Sequence, residues 1–261
     1  MNRGAPPRRR LAGVVGPGIA ALIVFAVLLG LGNWQLDRKA WKEGLIDTLE
    51  QRLAAAPAAL PPPPLWPSLT QEQDEYRRVR FTAQFLGDQE ALVFTSGSAF
   101  RPDVSGSGYW VFAPARLPGG GLVVVNRGFV PEGRQDQATR AAGAVAGPLD
   151  MVGVMRWPEA AGWFTPQADP GHNLWFVRDP SAIAQAKKWG EVAPFFIELE
   201  SPSPPGGLPQ PGPLKVNLPD DHLQYALTWF GLAAVLAVWF GFWLRSRWRE
   251  GAGVAKQPPS S

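Results

Sequence analysis

From Leu223 to Leu244 the chain reads LQYALTWFGLAAVLAVWFGFWL, 22 residues without a charge. At a rise of about 1.5 Å per residue, such a helix crosses a hydrocarbon core about 30 Å thick. A second uncharged run, LAGVVGPGIAALIVFAVLLGL, occupies Leu11–Leu31 near the other end. Aromatic residues sit where a membrane interface would hold them: Tyr225, Trp229, Trp239, Trp243 and Trp248 around the later run, and Trp34 just past the earlier one. Two transmembrane helices are predicted, over 11–31 and 223–244. Gly30-x-Gly32 resembles a small-x-small cleavage site. The apolar run is longer than a signal-peptide core, however, and passes directly into a helical pattern, so it reads as an uncleaved anchor.

Charge sets the expected orientation. Residues 1–10 carry Arg3, Arg8, Arg9 and Arg10 and no acid, while 245–261 carry Arg245, Arg247, Arg249 and Lys256 against Glu250. By the positive-inside rule both basic tails, 1–10 and 245–261, are expected in the cytoplasm, with 32–222 on the far side of the membrane. Between the tails lie 17 basic and 21 acidic residues. The isoelectric point near 9.4 therefore belongs to the ends and does not describe a nucleic-acid-binding face. With no cysteine, the chain has no disulfide, thiolate metal site, c-type haem attachment or cysteine nucleophile. Three Met and two His supply a soft copper site poorly.

The stretch between the spans changes character twice. In RKAWKEGLIDTLEQRL (Arg38–Leu53), Trp41, Leu45, Leu49 and Leu53 recur at four-residue spacing, which predicts a helix continuing out of the membrane with its apolar face on the domain. APAALPPPPLWP (Ala56–Pro67) cannot continue a helix and reads as an extended linker. Strand patterns follow over Arg77–Leu86, Ala91–Thr95, Tyr109–Ala115, Leu122–Asn126, Leu149–Arg156, Leu174–Val177 and Phe195–Glu200. Ser181–Trp189 predicts a short helix capped by Asp179 or Ser181. SPSPPGGLPQPGPL (Ser201–Leu214) reads as a second Pro-rich tether. The expected class is a membrane protein with two transmembrane helices flanking a mainly antiparallel β (α+β) extracytoplasmic domain.

Chemistry is sparse. The chain has no G-x-S-x-G, P-loop or H-E-x-x-H motif, and no G-x-G-x-x-G following a strand. Asp103, Asp136, Asp150, Asp169 and Asp179 are scattered without ligand spacing and read as solvated surface. No catalytic residues and no enzymatic activity are expected. His222 stands out as the last polar residue before an uncharged span. It either caps or anchors the helix at the interface, or serves as an axial ligand to haem iron. Tyr225 and Trp229 follow at three and seven positions, roughly on the same helix face, and either pack a porphyrin or anchor the helix.

The block DHLQYALTWFGLA (Asp221–Ala233) resembles the H-L-Q-Y-A-x-T-W-F signature of the Surfeit locus (Surf/Shy) family. GNWQLDR (Gly32–Arg38) is similar to that family's G-x-W-Q-L-x-R block, and YWVFAPA (Tyr109–Ala115) to the strand after its Gly-rich turn. VNRGFVP (Val125–Pro131) is similar to its V-N-R-G-W-V-P block, with Phe129 in place of the usual Trp. Asp220 and Asp221 stand where amides are common.

The resemblance covers residues 30 to 245. It implies a non-enzymatic assembly factor for haem-copper terminal oxidases, chiefly cytochrome c oxidase, that binds haem a transiently and assists its insertion into oxidase subunit I. The alternative is a scaffold that steadies oxidase subunits without carrying haem. Implied partners are subunit I, a haem a synthase and membrane lipid, with no nucleic acid. The implied location is the inner (cytoplasmic) membrane with a periplasmic domain, and the missing Arg- and Ser-rich presequence favours a bacterial chain. His222 carries over as the haem ligand, with Tyr225 and Trp229 beside it. Trp34 belongs at the interface, while Gln35 and Arg38 are placed to meet haem propionates or a partner subunit. For the N-R-G block the residues themselves favour structure: a bulge or turn at Gly128, and an acid paired with Arg127.

Overall fold

A computed structural model describes residues 8–98, 100–216 and 221–254. Arg3, Asp220 and Lys256 lie outside the described residues. The chain divides into two compact units, one of residues 1–45 with 219–261 and one of residues 46–218.

The first unit holds two helices long and apolar enough to cross a membrane. The first, α1, runs unbroken over Arg8–Ala54 and the last, α4, over His222–Val254. Within this unit the two pack antiparallel. A Cβ at Gly18 would lie 3.8 Å from Phe240, one at Gly32 would lie 2.5 Å from Phe230, and Gln35 reaches His222.

The covered positions show the pattern of the contact. On α1 they include 14, 18, 21, 25, 28, 32 and 35, and on α4 they are 222, 226, 229 and 230, 233, 236, 240, and 243 and 244. Alternating steps of four and three form the seam of left-handed helix pairs. Small residues line it where the backbones come close: Gly18, Ala21 and Gly32 against Ala226 and Ala233. In lipid, such close packing replaces the hydrophobic drive that water would provide. Outward residues such as Leu22, Leu227 and Val235 are two-thirds exposed, as a lipid-facing surface requires.

The expected helix over Arg38–Leu53 is the C-terminal part of α1. Its four-residue row does not form one face, because each step of four turns the helix about 40° too far. Leu49 is buried, but Trp41 and Leu45 are exposed.

In the second unit, strands β1 (Ala58–Ala59), β2 (Arg78–Phe85), β3 (Ala91–Thr95), β4 (Gly108–Arg116), β5 (Leu122–Pro131), β6 (Leu149–Arg156), β7 (Leu174–Trp175) and β8 (Phe196–Ser201) form one sheet. Helix α2 (Gln71–Asp74) precedes β2, and α3 (Pro180–Lys187) lies between β7 and β8. β2, β6, β8, β5 and β4 are consecutive neighbours, and β4 returns to β2 through Gln84 with Arg116 and Phe85 with Ala115. The sheet therefore closes on itself as a five-stranded ring.

Most pairings are antiparallel, but β5–β8, β1–β2 and β3–β7 are parallel. The ring interior is filled from every strand, including Val79, Ala115, Val123, Met155 and Ile197. A second apolar layer lies outside it, with Phe112, Val124 and Phe196 under Ile183 of α3 and Trp189. α3 begins where Asp179 accepts from the backbone N–H groups of Ser181 (2.9 Å) and Ala182 (3.1 Å), so Asp179 is the cap.

Neither Pro-rich segment is a free tether. In 56–67, Ala58 and Ala59 pair with β2, and Trp66 is buried edge-on to Phe195 at 5.7 Å. In 201–214, Gln210 exchanges backbone hydrogen bonds with Phe129 (3.0 and 2.8 Å), Gly212 donates to Leu199 (3.1 Å), and Leu214 is buried. Proline fixes the direction of an extended chain, and the remaining amides then bond to whatever edge it crosses.

This strap explains Gly128. The β4–β5 register slips between Trp110 and Phe112, leaving a bulge that holds Gly128 at φ +122°. A Cβ there would run into the Gln210 backbone. Gly128→Ala is expected to cost about 2–4 kcal/mol through strain and overpacking. Gly133→Ala, at φ +84° in open space, should cost only about 1 kcal/mol. Denaturant unfolding of the purified chain, followed by tryptophan fluorescence, separates the two.

Candidate functional site

At the mouth of the helix pair, His222 opens the first turn of α4 and faces α1. Its Nδ1 lies 2.8 Å from Oε1 of Gln35. A carboxamide oxygen can only accept, so Nδ1 carries a proton and donates it. A neutral ring in this arrangement keeps its lone pair on Nε2. This is how a hydrogen bond on one ring nitrogen prepares the other for a metal.

The seam makes this contact possible. Gln35 lies three residues, about one turn, beyond Gly32, and His222 lies two turns before Phe230. The ring-on-glycine contact sets the separation that one hydrogen bond spans.

Of the other residues expected at this site, Trp229 shares the seam with His222 and is half-buried. Tyr225 does not, being 56% exposed on the flank. Trp34 is also exposed, at 57%. Arg38 is exposed and stacks its guanidinium over the Trp41 ring at 4.0 Å. The structure thus joins His222, Gln35 and Trp229 on one seam and leaves Trp34, Arg38 and Tyr225 outside it. Among the described residues, no three of His, Cys, Asp and Glu converge to hold a metal ion. The other histidine, His172, is exposed and bonds to Asp169 at 2.6 Å inside a local turn. That bond, first, holds the Asp169 carboxyl below its usual pKa.

Sequence reading missed a buried ionic cluster in the second unit. Glu198 of β8, almost fully buried, accepts from Asn126 (3.1 Å) and from Arg178 (3.4 Å), and lies 3.9 Å from Arg156. Arg178 also bonds to Glu159, and Arg156 bonds to Glu75 at 3.3 Å. Tyr76, at φ +65°, lies under the Arg156 guanidinium at 4.6 Å. Burial pushes the Tyr76 phenol above its ordinary pKa despite the positive charge of Arg156. Burial would lower Arg178, but Glu198 and Glu159 hold it above the usual guanidinium value. Burial likewise favours protonated Glu159, and the hydrogen bond and charge of Arg178 more than reverse this.

The signal was present as the charged residues alternating with Phe196, Ile197 and Leu199 in the last strand. In the N-R-G block, Asn126 bridges Glu198 to the Gly128 N–H (3.1 Å), while Arg127 meets no acid among the described residues. Its Nη2 donates instead to the Gly143 carbonyl at 2.8 Å.

The sequence profile of the SURF1 family matches residues 22–234. A SURF1-like protein of Monosiga brevicollis is 37% identical over 251 residues, covering 92% of each chain. Surfeit locus protein 1 of Rattus norvegicus is 34% identical over 235 residues, 86% of this chain and 74% of its own. The Homo sapiens protein of the same name is 34% identical over 236 residues, 86% and 76% respectively.

Two outcomes follow from the packing described. Gly32→Leu should part the helices by roughly 2 Å or more, since carbon contacts settle near 3.5–4 Å. With no native cysteine, single spin labels at the outward positions Leu22 and Val235 can report that distance in nanodiscs. Glu198→Ala should cost about 3–5 kcal/mol by leaving buried guanidinium groups uncompensated. In wild type, Glu159 contributes fully above its unfolded pKa near 4.5, and that contribution is lost as pH falls through its lower folded value. Acid unfolding curves of wild type and Glu159→Gln, which lacks that titration, should therefore differ most above pH 4.5.

Proposed function

The chain belongs to the SURF1 family, and on that premise we propose that it is an assembly factor for a haem-copper terminal oxidase, holding haem a on His222 before its insertion into subunit I. The observation that carries this reading is the 2.8 Å bond between His222 Nδ1 and Gln35 Oε1. A lone imidazole is a poor site for a bare ion. It suits a metal whose other positions a macrocycle already fills, because the protein then need supply only an axial nitrogen.

The residues fit that cargo chemically. Gln35 orients the ring and selects its tautomer. Trp229 offers an aromatic edge on the same seam. Tyr225 and Trp34, both exposed, suit the interface beside it, and Arg38 suits a propionate. The lipid-facing surfaces of α1 and α4 and the basic residues of the terminal tails favour an inner-membrane protein with both termini cytoplasmic and residues 46–218 in the periplasm. A site at the mouth of α4 then faces the outer side, and oxidase subunit I and a haem a synthase are the partners that cargo implies.

The test is the visible spectrum of the full chain purified from cells that make haem a. Wild type should carry haem, and His222→Ala should carry almost none. Gln35→Leu, which keeps the ligand but not its orientation, should lower affinity roughly 10–100-fold. Equal haem in wild type and His222→Ala removes His222 as ligand. If oxidase also co-purifies with His222→Ala and is active, the protein is a scaffold that steadies the subunits without carrying haem.

A further inference from the structure

Most guanidinium groups covered in the second unit are matched to an acid: Arg78 to Glu200, Arg101 to Asp103, Arg140 to Glu90, and Arg156 and Arg178 to the Glu198 cluster. Arg52 and Arg127 are the exceptions; Arg52 spends two donors on the Glu75 and Glu72 carbonyls (2.8 Å each), which leaves Arg127. Among the described residues, no carboxylate oxygen lies within 4.0 Å of it. The group is nevertheless held firmly. Its Nη2 donates to Gly143 at 2.8 Å, and its central carbon lies 4.8 Å over the Phe85 ring. Burial depresses its pKa, the nearby charge of Glu90 opposes that, and Arg140 adds to it. A cation half out of water, with most of its donors unspent on the described residues, is poised for an anion.

The space around it is of two kinds. On one side is a cavity of about 550 Å³ with the polar groups of Gln84, Asp88, Gln137 and Arg140. On the other is a cavity of about 370 Å³ walled by Leu149, Leu199, Pro202 and Pro204. Arg127 and Phe85 line both. Each volume lies within the usual range of small-molecule sites. The prolines belong to the strap over β5, so one wall is stiff and presents few amide donors.

We propose that Arg127 is the head-group contact of a binding site for an organic carboxylate with an apolar body. The carboxylate lies against the open edge of the guanidinium, which matches its planar pair of oxygens. The apolar body lies between Phe85, Leu149, Leu199 and the prolines. A plain structural brace would require only the Gly143 bond and the Phe85 stack, and neither needs a cavity with one polar and one apolar side. The site is built wholly within residues 46–218 and does not rest on the role given to His222.

The full chain in nanodiscs can be titrated with 6-fluoro-2-naphthoate and followed by fluorine NMR, with empty nanodiscs setting the background. Wild type should bind the acid above background and bind the neutral 6-fluoro-2-naphthamide at least about tenfold more weakly, as the loss of a charge-assisted pair requires. Arg127→Gln should lose the preference for the acid. Val145→Trp, which fills the cavity and leaves Arg127 in place, should lose both ligands. Inorganic phosphate at equal concentration should not displace the naphthoate, because it lacks the apolar body. Equal affinity for acid and amide in wild type overturns the proposal, and that comparison needs no variant to fold. So does displacement by phosphate alone, or binding no stronger than to empty nanodiscs.

Discussion

The contact between Gly32 and the Phe230 ring governs the helix pair. A Cβ at position 32 has no room, so the ring lies directly on the α1 backbone. One such contact sets both separation and register, because an aromatic ring on a glycine tolerates little sliding. The seam positions then repeat by helical geometry, and the Gln35–His222 bond follows one turn on along α1 and two turns back along α4. In lipid, apolar side chains gain nothing from leaving the solvent, so close backbone approach and a polar bond at the rim must supply the specificity. The pair has both.

The second unit solves a different problem. A closed ring has few free edges, but β4 divides one of its own between β3 and β2 and meets β2 at only two residues. The bulge at Gly128 and the strap over it lie where the β4–β5 pairing is broken. There the backbone groups of Phe129 would otherwise lack partners, and Gln210 supplies them. The strap also reaches back to Gly143, whose carbonyl Arg127 uses. A Pro-rich segment that composition alone reads as a spacer is thus part of the packing.

Much of this was legible. Uncharged length located both spans; period-two alternation located β2, and apolar, β-branched or aromatic runs bounded by Gly or Pro located β3, β4, β6 and β8, all to within a residue or two. Asp179 announced α3. What was not legible depended on contacts distant in sequence. The parallel pairing of β5 with β8 is one case, although a hint existed: Val123, Val124 and Val125, like Phe195, Phe196 and Ile197, are consecutive buried residues. An unbroken apolar run fits a strand covered on both faces, the usual state of parallel strands. The C-terminal end of β5 extends beyond the expected one for a related reason. Asn126–Arg127–Gly128 is polar and glycine-bearing, so the apolar run stops there, yet the strand continues through its bulge to Pro131.

The helix pair shows why a spacing argument needs a partner. Positions 222, 225 and 229 do lie roughly on one side of an isolated helix. Once α1 lies along α4, that side divides: 222, 226 and 229 go to the seam, and 225 is left outside. Half a turn's ambiguity, harmless for predicting that a helix exists, decides whether a tyrosine faces a neighbouring backbone or the lipid. The same division makes Gln35 the informative member of the earlier block. Trp34 and Arg38 carry more conspicuous chemistry, but they lie outside the seam that Gln35 shares with Gly32, and the Gln35 oxygen fixes the proton on Nδ1 of His222.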